Sequence, residues 1–121
     1  MFSRFKSKLL YIQVKENSFV LRSVIDKKSI VINANLPFST NRLLIGEFSI
    51  AEEVLKSGIK EFDESFMKPT VVIHPMENID DKLSEVEKNV LKELAFSIGA
   101  KDVKIWLGEE LSDKELLGHI E

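Results

Sequence analysis

Apolar and polar positions alternate along the first third of the chain. In residues 9–14, Leu10, Ile12 and Val14 point one way and Leu9, Tyr11 and Gln13 the other, a period of two that predicts a strand. Residues 15–18, with Glu16 and Asn17, read as a turn. Alternation resumes over 19–25, with Phe19, Leu21 and Ile25 on one side, and Asp26, Lys27 and Lys28 make a second turn. Residues 29–33 hold Ile30, Val31 and Ile32 and predict a third strand. Loops this short force neighbouring strands to run antiparallel, so the chain opens with a three-stranded meander.

The period then lengthens. After a loop over 35–42 with Pro37 and a short apolar stretch at 43–46, Ser49 and Glu52 have capping-box spacing and predict a helix start. Ile50, Val54, Leu55, Ile59 and Phe62 give its apolar stripe, which Gly58 weakens slightly. Pro69 prevents helical continuation. Residues 70–74 contain the β-branched run Val71, Val72 and Ile73, the pattern of a central strand buried on both faces, and Pro75 ends it. Ser84 and Glu87 form a second capping box, and Val86, Val90, Leu91, Leu94 and Ile98 continue at helical spacing to Gly99, a C-terminal cap. A strand over 102–107 alternates Val103, Ile105 and Leu107 against Lys104 and Trp106. Ser112 and Glu115 cap a last short helix whose inner face is Leu116, Leu117 and Ile120.

The order is β-β-β-α-β-α-β-α in an α/β domain. Right-handed crossovers return each later strand parallel to its predecessor. With the fourth strand beside the first, the mixed five-stranded sheet has order 3-2-1-4-5. Its third and fifth strands are open edges, which must pair or be protected.

Composition adds exclusions. The 121 residues are 44% hydrophobic and 31% charged, with net charge −3, as in ordinary globular domains. No apolar run is long enough to span a bilayer, and no signal-peptide pattern opens the sequence, so a cytoplasmic setting is expected. With no cysteine, disulfides, thiolate metal sites and thiol nucleophiles are ruled out. Residues 1–75 carry 11 basic and 8 acidic side chains and residues 76–121 carry 6 and 12; neither part has the basic face that nucleic acid requires. Residues 1–8 form a basic tail in which Phe2, Arg4, Phe5, Lys6 and Lys8 offer weak contact with an anionic membrane surface, at the inner face of the membrane. The blander reading is a solvated tail, because one turn of helix is too short to be stable alone.

The element order is that of the ribonuclease H-like fold found in each half of actin-type ATPases. The segment Ser65, Phe66, Met67, Lys68 and Pro69, followed by the strand and Pro75, resembles the bacterial actin homologue MreB. So does the helix from Glu87 and Lys88 to Ile98, followed by Gly99, Ala100, Lys101, Asp102 and Val103. The resemblance covers residues 9–121 as a single actin-like half-domain, in register with the family's N-terminal subdomain IA. It implies a nucleotide cleft between two such halves, with an Asp and a Gly-containing loop at the first turn. Here Gln13 stands where the acid would be, Lys15 where the glycine would be, and Glu16 would bring negative charge towards a phosphate. The second phosphate loop and adenosine pocket belong to the other half, which these residues do not match. Glu109 and Glu110 are tempting equivalents of the acidic segment that positions the hydrolytic water, but Leu111 replaces the proline and the register needs a two-residue shift. Loss of ATPase activity is expected, with no cofactor. Nuclease activity on this fold needs converging carboxylates, and the first and fourth strands contain none.

Three other features have bland readings. His74 is read as a strand-end residue finding a backbone partner, and His119 shares no ligand spacing with it. Asp80, Asp81, Glu85 and Glu87 complement a helix dipole. Trp106 packs beneath the last helix or anchors a partner. The expected function is a non-catalytic interaction or assembly module, cytoskeletal or envelope-associated, that binds a protein partner or forms a homodimer. The alternatives are a nucleotide- or phosphate-binding enzyme with an unusual dimeric site, and a membrane-surface adaptor using the tail.

Overall fold

A two-residue turn starts the sheet. Asn17 takes a positive φ of 58°, the left-handed conformation that asparagine tolerates better than most residues and that tight hairpins need. It sets Lys15 opposite Ser18 and fixes the register of the first two strands. The computed structural model describes residues 9–24, 26–62, 68–77 and 83–119. Its elements are β1 (Leu9–Lys15), β2 (Ser18–Ser23), β3 (Lys28–Asn33), α1 (Phe48–Ile59), β4 (Thr70–Pro75), α2 (Glu85–Ser97), β5 (Asp102–Ile105) and α3 (Asp113–His119). They form one five-stranded sheet in the order β3-β2-β1-β4-β5. β1, β2 and β3 are antiparallel neighbours, and β4 runs parallel to both β1 and β5. The protein is therefore an α/β domain with the mixed open sheet that the sequence predicts.

The sheet has two unequal covers. On one face Leu10, Ile12, Val14, Phe19, Leu21, Val71 and Ile73 lie beneath α1 and α2, which contribute Ala51, Leu55, Leu91, Leu94 and Ala95. On the other, Leu9, Tyr11, Val24 and Val72 are covered by Leu111 and Leu116, with Trp106 packed alongside. A seven-residue α3 covers only the middle of its face. β1 and β4 are consequently buried on both sides, whereas β3 alternates between exposed and half-buried positions. Gly58 is needed for packing: a Cβ there would lie 2.8 Å from Leu21 Cδ1 and 3.3 Å from Ile32 Cγ2. Its absence lets α1 sit down on β2 and β3.

Several local expectations need correction. β2 ends at Ser23, and Ile25 lies outside the described residues, as do 1–8, 63–67, 78–82 and 120–121; the tail, Ser65 to Met67, Asp80, Asp81 and Ile120 fall there. The apolar stretch at 43–46 belongs to a loop tied back by Thr40 N–H to the Leu43 carbonyl and Gly46 N–H to the Phe38 carbonyl, each 2.8 Å. β5 stops at Ile105, leaving Leu107 exposed. The box at Ser49 and Glu52 does not form. The Phe38 carbonyl also accepts the Glu47 N–H, and this anchor starts α1 at Phe48, with Glu47 as an N-cap that makes no side-chain bond. Val86 is 71% exposed. At 100° per residue it lies about 130° round α2 from the centre of the Leu91, Leu94, Ala95 and Ile98 stripe. Leu116 faces inward on α3, but Leu117 is exposed.

The other two capping boxes are made. Ser84 Oγ accepts the Glu87 N–H at 3.1 Å and the Glu87 carboxylate accepts the Ser84 N–H at 2.9 Å. Ser112 and Glu115 repeat the pattern at 3.2 and 2.8 Å. Gly99 follows α2 with φ 95°, a position where a side chain would be strained. Urea unfolding of two variants tests this assignment: Ser84→Ala should lose about 1 kcal/mol, and Ser49→Ala should stay within about 0.5 kcal/mol of the parent.

Candidate functional site

The turn at which the resemblance places a phosphate is filled by the protein's own groups. The Glu16 N–H donates to the Glu77 carboxylate. The Asn17 N–H donates to Ser39 Oγ at 3.0 Å, and Asn17 Oδ1 accepts the N–H groups of Phe38 and Ser39, both at 2.8 Å. Ser39 in turn donates to the Leu44 carbonyl at 2.6 Å. A phosphate here would have to displace a carboxylate and unfasten the loop over 38–44. Gln13 is 5% exposed, between Val20 and His74 in the ladder, with Nε2 3.7 Å from Met76 Sδ. Lys15 is exposed at the strand end.

Glu109 and Glu110 are not brought to this turn. Glu110 reaches Arg22 at 3.6 Å, and Arg22 is four strand residues, about 13 Å, from Ser18. Glu109 uses its carbonyl to accept the Trp106 Nε1–H at 2.7 Å, so the indole is held at the margin of the second core. Glu85 and Glu87 open α2 as expected, and His119 ends α3. Among the described residues no three His, Asp or Glu side chains form a group able to hold a metal ion.

A polar network that the sequence analysis did not assemble lies beneath α3. The Tyr11 hydroxyl is 2.6 Å from His74 Nδ1, and His74 Nε2 is 2.9 Å from the Gly108 carbonyl. A carbonyl only accepts, so Nε2 carries the proton and Nδ1 accepts from the Tyr11 O–H. The Leu111 N–H completes the phenol by donating to it at 3.1 Å. Arg22 closes the cluster: its guanidinium lies 5.0 Å from the Tyr11 ring centroid, donates to the Leu111 carbonyl and pairs with Asp113 at 3.1 Å. β1, β2 and β4 thus each send one side chain to fasten residues 108–113 onto the sheet. The cue was weak: Tyr11 and His74 are 63 residues apart, and only the parallel register of β1 with β4 brings them together.

An apolar groove between residues 43–45 and α2, lined by Leu43, Ile45, Val86 and Val90, has a cavity of about 60 Å³. A wider, more open cleft of about 530 Å³ adjoins it, lined by Thr40, Arg42, Ser84 and Glu87 together with Leu43 and Val86.

No family model matches the chain. A curated protein does: the uncharacterized protein YjaA of Escherichia coli (strain K12) is 30% identical over 94 residues, covering 71% of this chain and 72% of YjaA. The chain belongs to the YjaA family.

In this YjaA-family protein the Tyr11 and His74 rings are inaccessible, and the network ties residues 108–111 to the sheet. Burial is the main cause that lowers the His74 pKa, against the Gly108 hydrogen bond and Glu110, which favour the cation. Burial likewise raises the Tyr11 pKa, opposed by the Leu111 hydrogen bond. A second proton on His74 would make Nδ1 a donor and leave the Tyr11 O–H without its acceptor.

Two outcomes follow. The folded state resists protonating His74, so its contribution is complete above the unfolded pKa of 6.5 and is lost as pH falls through the lower folded value. The melting temperature should drop on acidification below about pH 6.5, and His74→Gln should flatten that dependence. Tyr11→Phe strands His74 Nδ1 and the Leu111 N–H; it should cost about 1–3 kcal/mol in chemical denaturation.

Proposed function

We propose that the chain is a ribonuclease H-like, actin-like half-domain, related to the MreB subdomain it resembles, that works without catalysis as an interaction or assembly module. Sheet order 3-2-1-4-5, an antiparallel meander followed by parallel strands, and helices on both faces support the fold assignment. The observation that carries the functional reading is the occupied first turn. Phosphate cradles work because backbone N–H groups converge on an open site. Here the Glu16 and Asn17 N–H groups are spent on Glu77 and Ser39. Gln13, in the place of the metal-holding acid, is an amide buried beside a thioether.

With that chemistry gone, the domain retains surface. β3 and β5 end the sheet, and Val31, Leu36, Leu43, Val86 and Phe96 are exposed apolar side chains. A partner protein or a second copy would be met through such surface, in a cytoskeletal or envelope-associated assembly. Calorimetric titration with Mg-ATP should give no binding heat. A micromolar dissociation constant would overturn the non-catalytic reading and favour a nucleotide-dependent activity.

A further inference from the structure

The two edges of the sheet are guarded differently. β5 is four residues long and carries Asp102 and Lys104; shortness and charge protect an edge from pairing. β3 is six residues long, and its positions 29–33 are uncharged. The direction of its free backbone groups follows from the ladder. The Ala34 N–H donates to the Asn17 carbonyl at 3.0 Å, and the Val24 N–H to the Leu9 carbonyl at 3.3 Å. Antiparallel bonding alternates residue by residue. Lys28, Ile30 and Ile32 therefore spend their backbone groups on β2, while Ser29, Val31 and Asn33 aim theirs outward. These three side chains share the sheet face opposite α1, where α3 does not reach, and Val31 is 64% exposed.

We propose that a second copy of this chain pairs with this edge, antiparallel about a two-fold axis at Val31, to make one continuous sheet from two. The proposal rests on the interaction-module reading and names the partner and the register. The outward residues are symmetric about Val31: each Val31 faces the copy's Val31, and Ser29 faces the copy's Asn33, so N–H groups meet carbonyls along the seam. The charges fit the same arrangement. Lys28 comes opposite Ala34 and Lys27 opposite Asn35, whereas a parallel copy would lay both lysines beside their own counterparts. The helices also fit. Gly58 sits over Leu21 and Ile32, so α1 lies above β2 and β3. With strands about 4.8 Å apart, the two α1 axes come about 10 Å apart across the seam, near the usual packing distance, and run antiparallel with opposed dipoles. The interface then includes helix surface as well as strand edge.

The absence of cysteine makes the register directly testable. Sedimentation equilibrium of the full chain at micromolar to millimolar concentration should show a monomer–dimer equilibrium. Val31→Cys should oxidise to a disulfide-linked dimer, because paired residues in such a seam have Cα atoms about 5.5 Å apart, within disulfide reach. Ser29→Cys alone should not cross-link, since the two copies of residue 29 lie about 13 Å apart, while Ser29→Cys with Asn33→Cys should. Val31→Lys should weaken the dimer at least about tenfold, and Val86→Lys should leave it unchanged. A monomer at every concentration overturns the proposal; so does a dimer that Val31→Lys does not weaken and Val31→Cys does not trap. Circular dichroism identifies any variant that fails to fold, and sedimentation of the parent chain decides the question independently of the variants. Monomer together with silence towards Mg-ATP sinks self-pairing alone; micromolar Mg-ATP binding sinks the non-catalytic reading whatever the oligomeric state.

Discussion

β1 lies between helices on both faces of the sheet, and each polar group it carries must find a partner away from water. Its backbone is satisfied by β2 and β4. Its side chains are harder to place, because Tyr11 and Gln13 alternate with aliphatic residues in the middle of the strand. Tyr11 is accommodated by a proton-ordered chain through His74 to the Gly108 carbonyl, and by the Leu111 N–H. That solution locates the whole segment from 108 to 113, and with it α3. The second layer of the domain is therefore held by directed bonds as much as by apolar burial, since α3 brings a small apolar face of its own.

The same strand ends in a turn that fastens a distant loop. Asn17 uses its left-handed conformation and its amide to gather the 38–39 backbone, and Glu77 caps the remaining donor. The backbone N–H groups of Glu16 and Asn17 in this turn are both taken by side chains of the protein itself. The same bonds join the loop before α1 to the sheet. With the centre of the sheet closed, the margins remain available. β3 is more open than β5 because α3 covers only the central strands and because charge falls on β5 and not on the middle of β3.

Much of the fold was legible because its signals are local. Two-residue periodicity, the β-branched run of β4, the boxes at Ser84 and Ser112, and Gly99 each act within a few residues; the elements they predict are present, with β2 and β5 ending two residues earlier than the alternation suggests. The misplaced features depended on distant partners. Ser49 and Glu52 have capping-box spacing, but the Phe38 carbonyl sets where α1 begins. Gly58 looked like a weakness in a helix and is a close approach to Leu21 and Ile32. Gln13 stood out in the sequence as an amide in a buried strand, yet its burial against Met76 could not be read from either neighbourhood. Glu110 was considered for a hydrolytic role and instead meets Arg22.

The order of elements, the alternation of faces and the lack of carboxylates on β1 and β4 were determined by the sequence alone, because they follow from local periodicity and residue identity; the pairing of β4 with β1 completed the strand order. Only the tertiary structure decided that Tyr11 hydrogen-bonds to His74, that Glu77 occupies the first turn, and that β3 ends the sheet with Val31 exposed. Those outcomes depend on register across the parallel β1–β4 pair and on how far a short helix reaches across a sheet. Both are set by the packing of residues far apart in the chain.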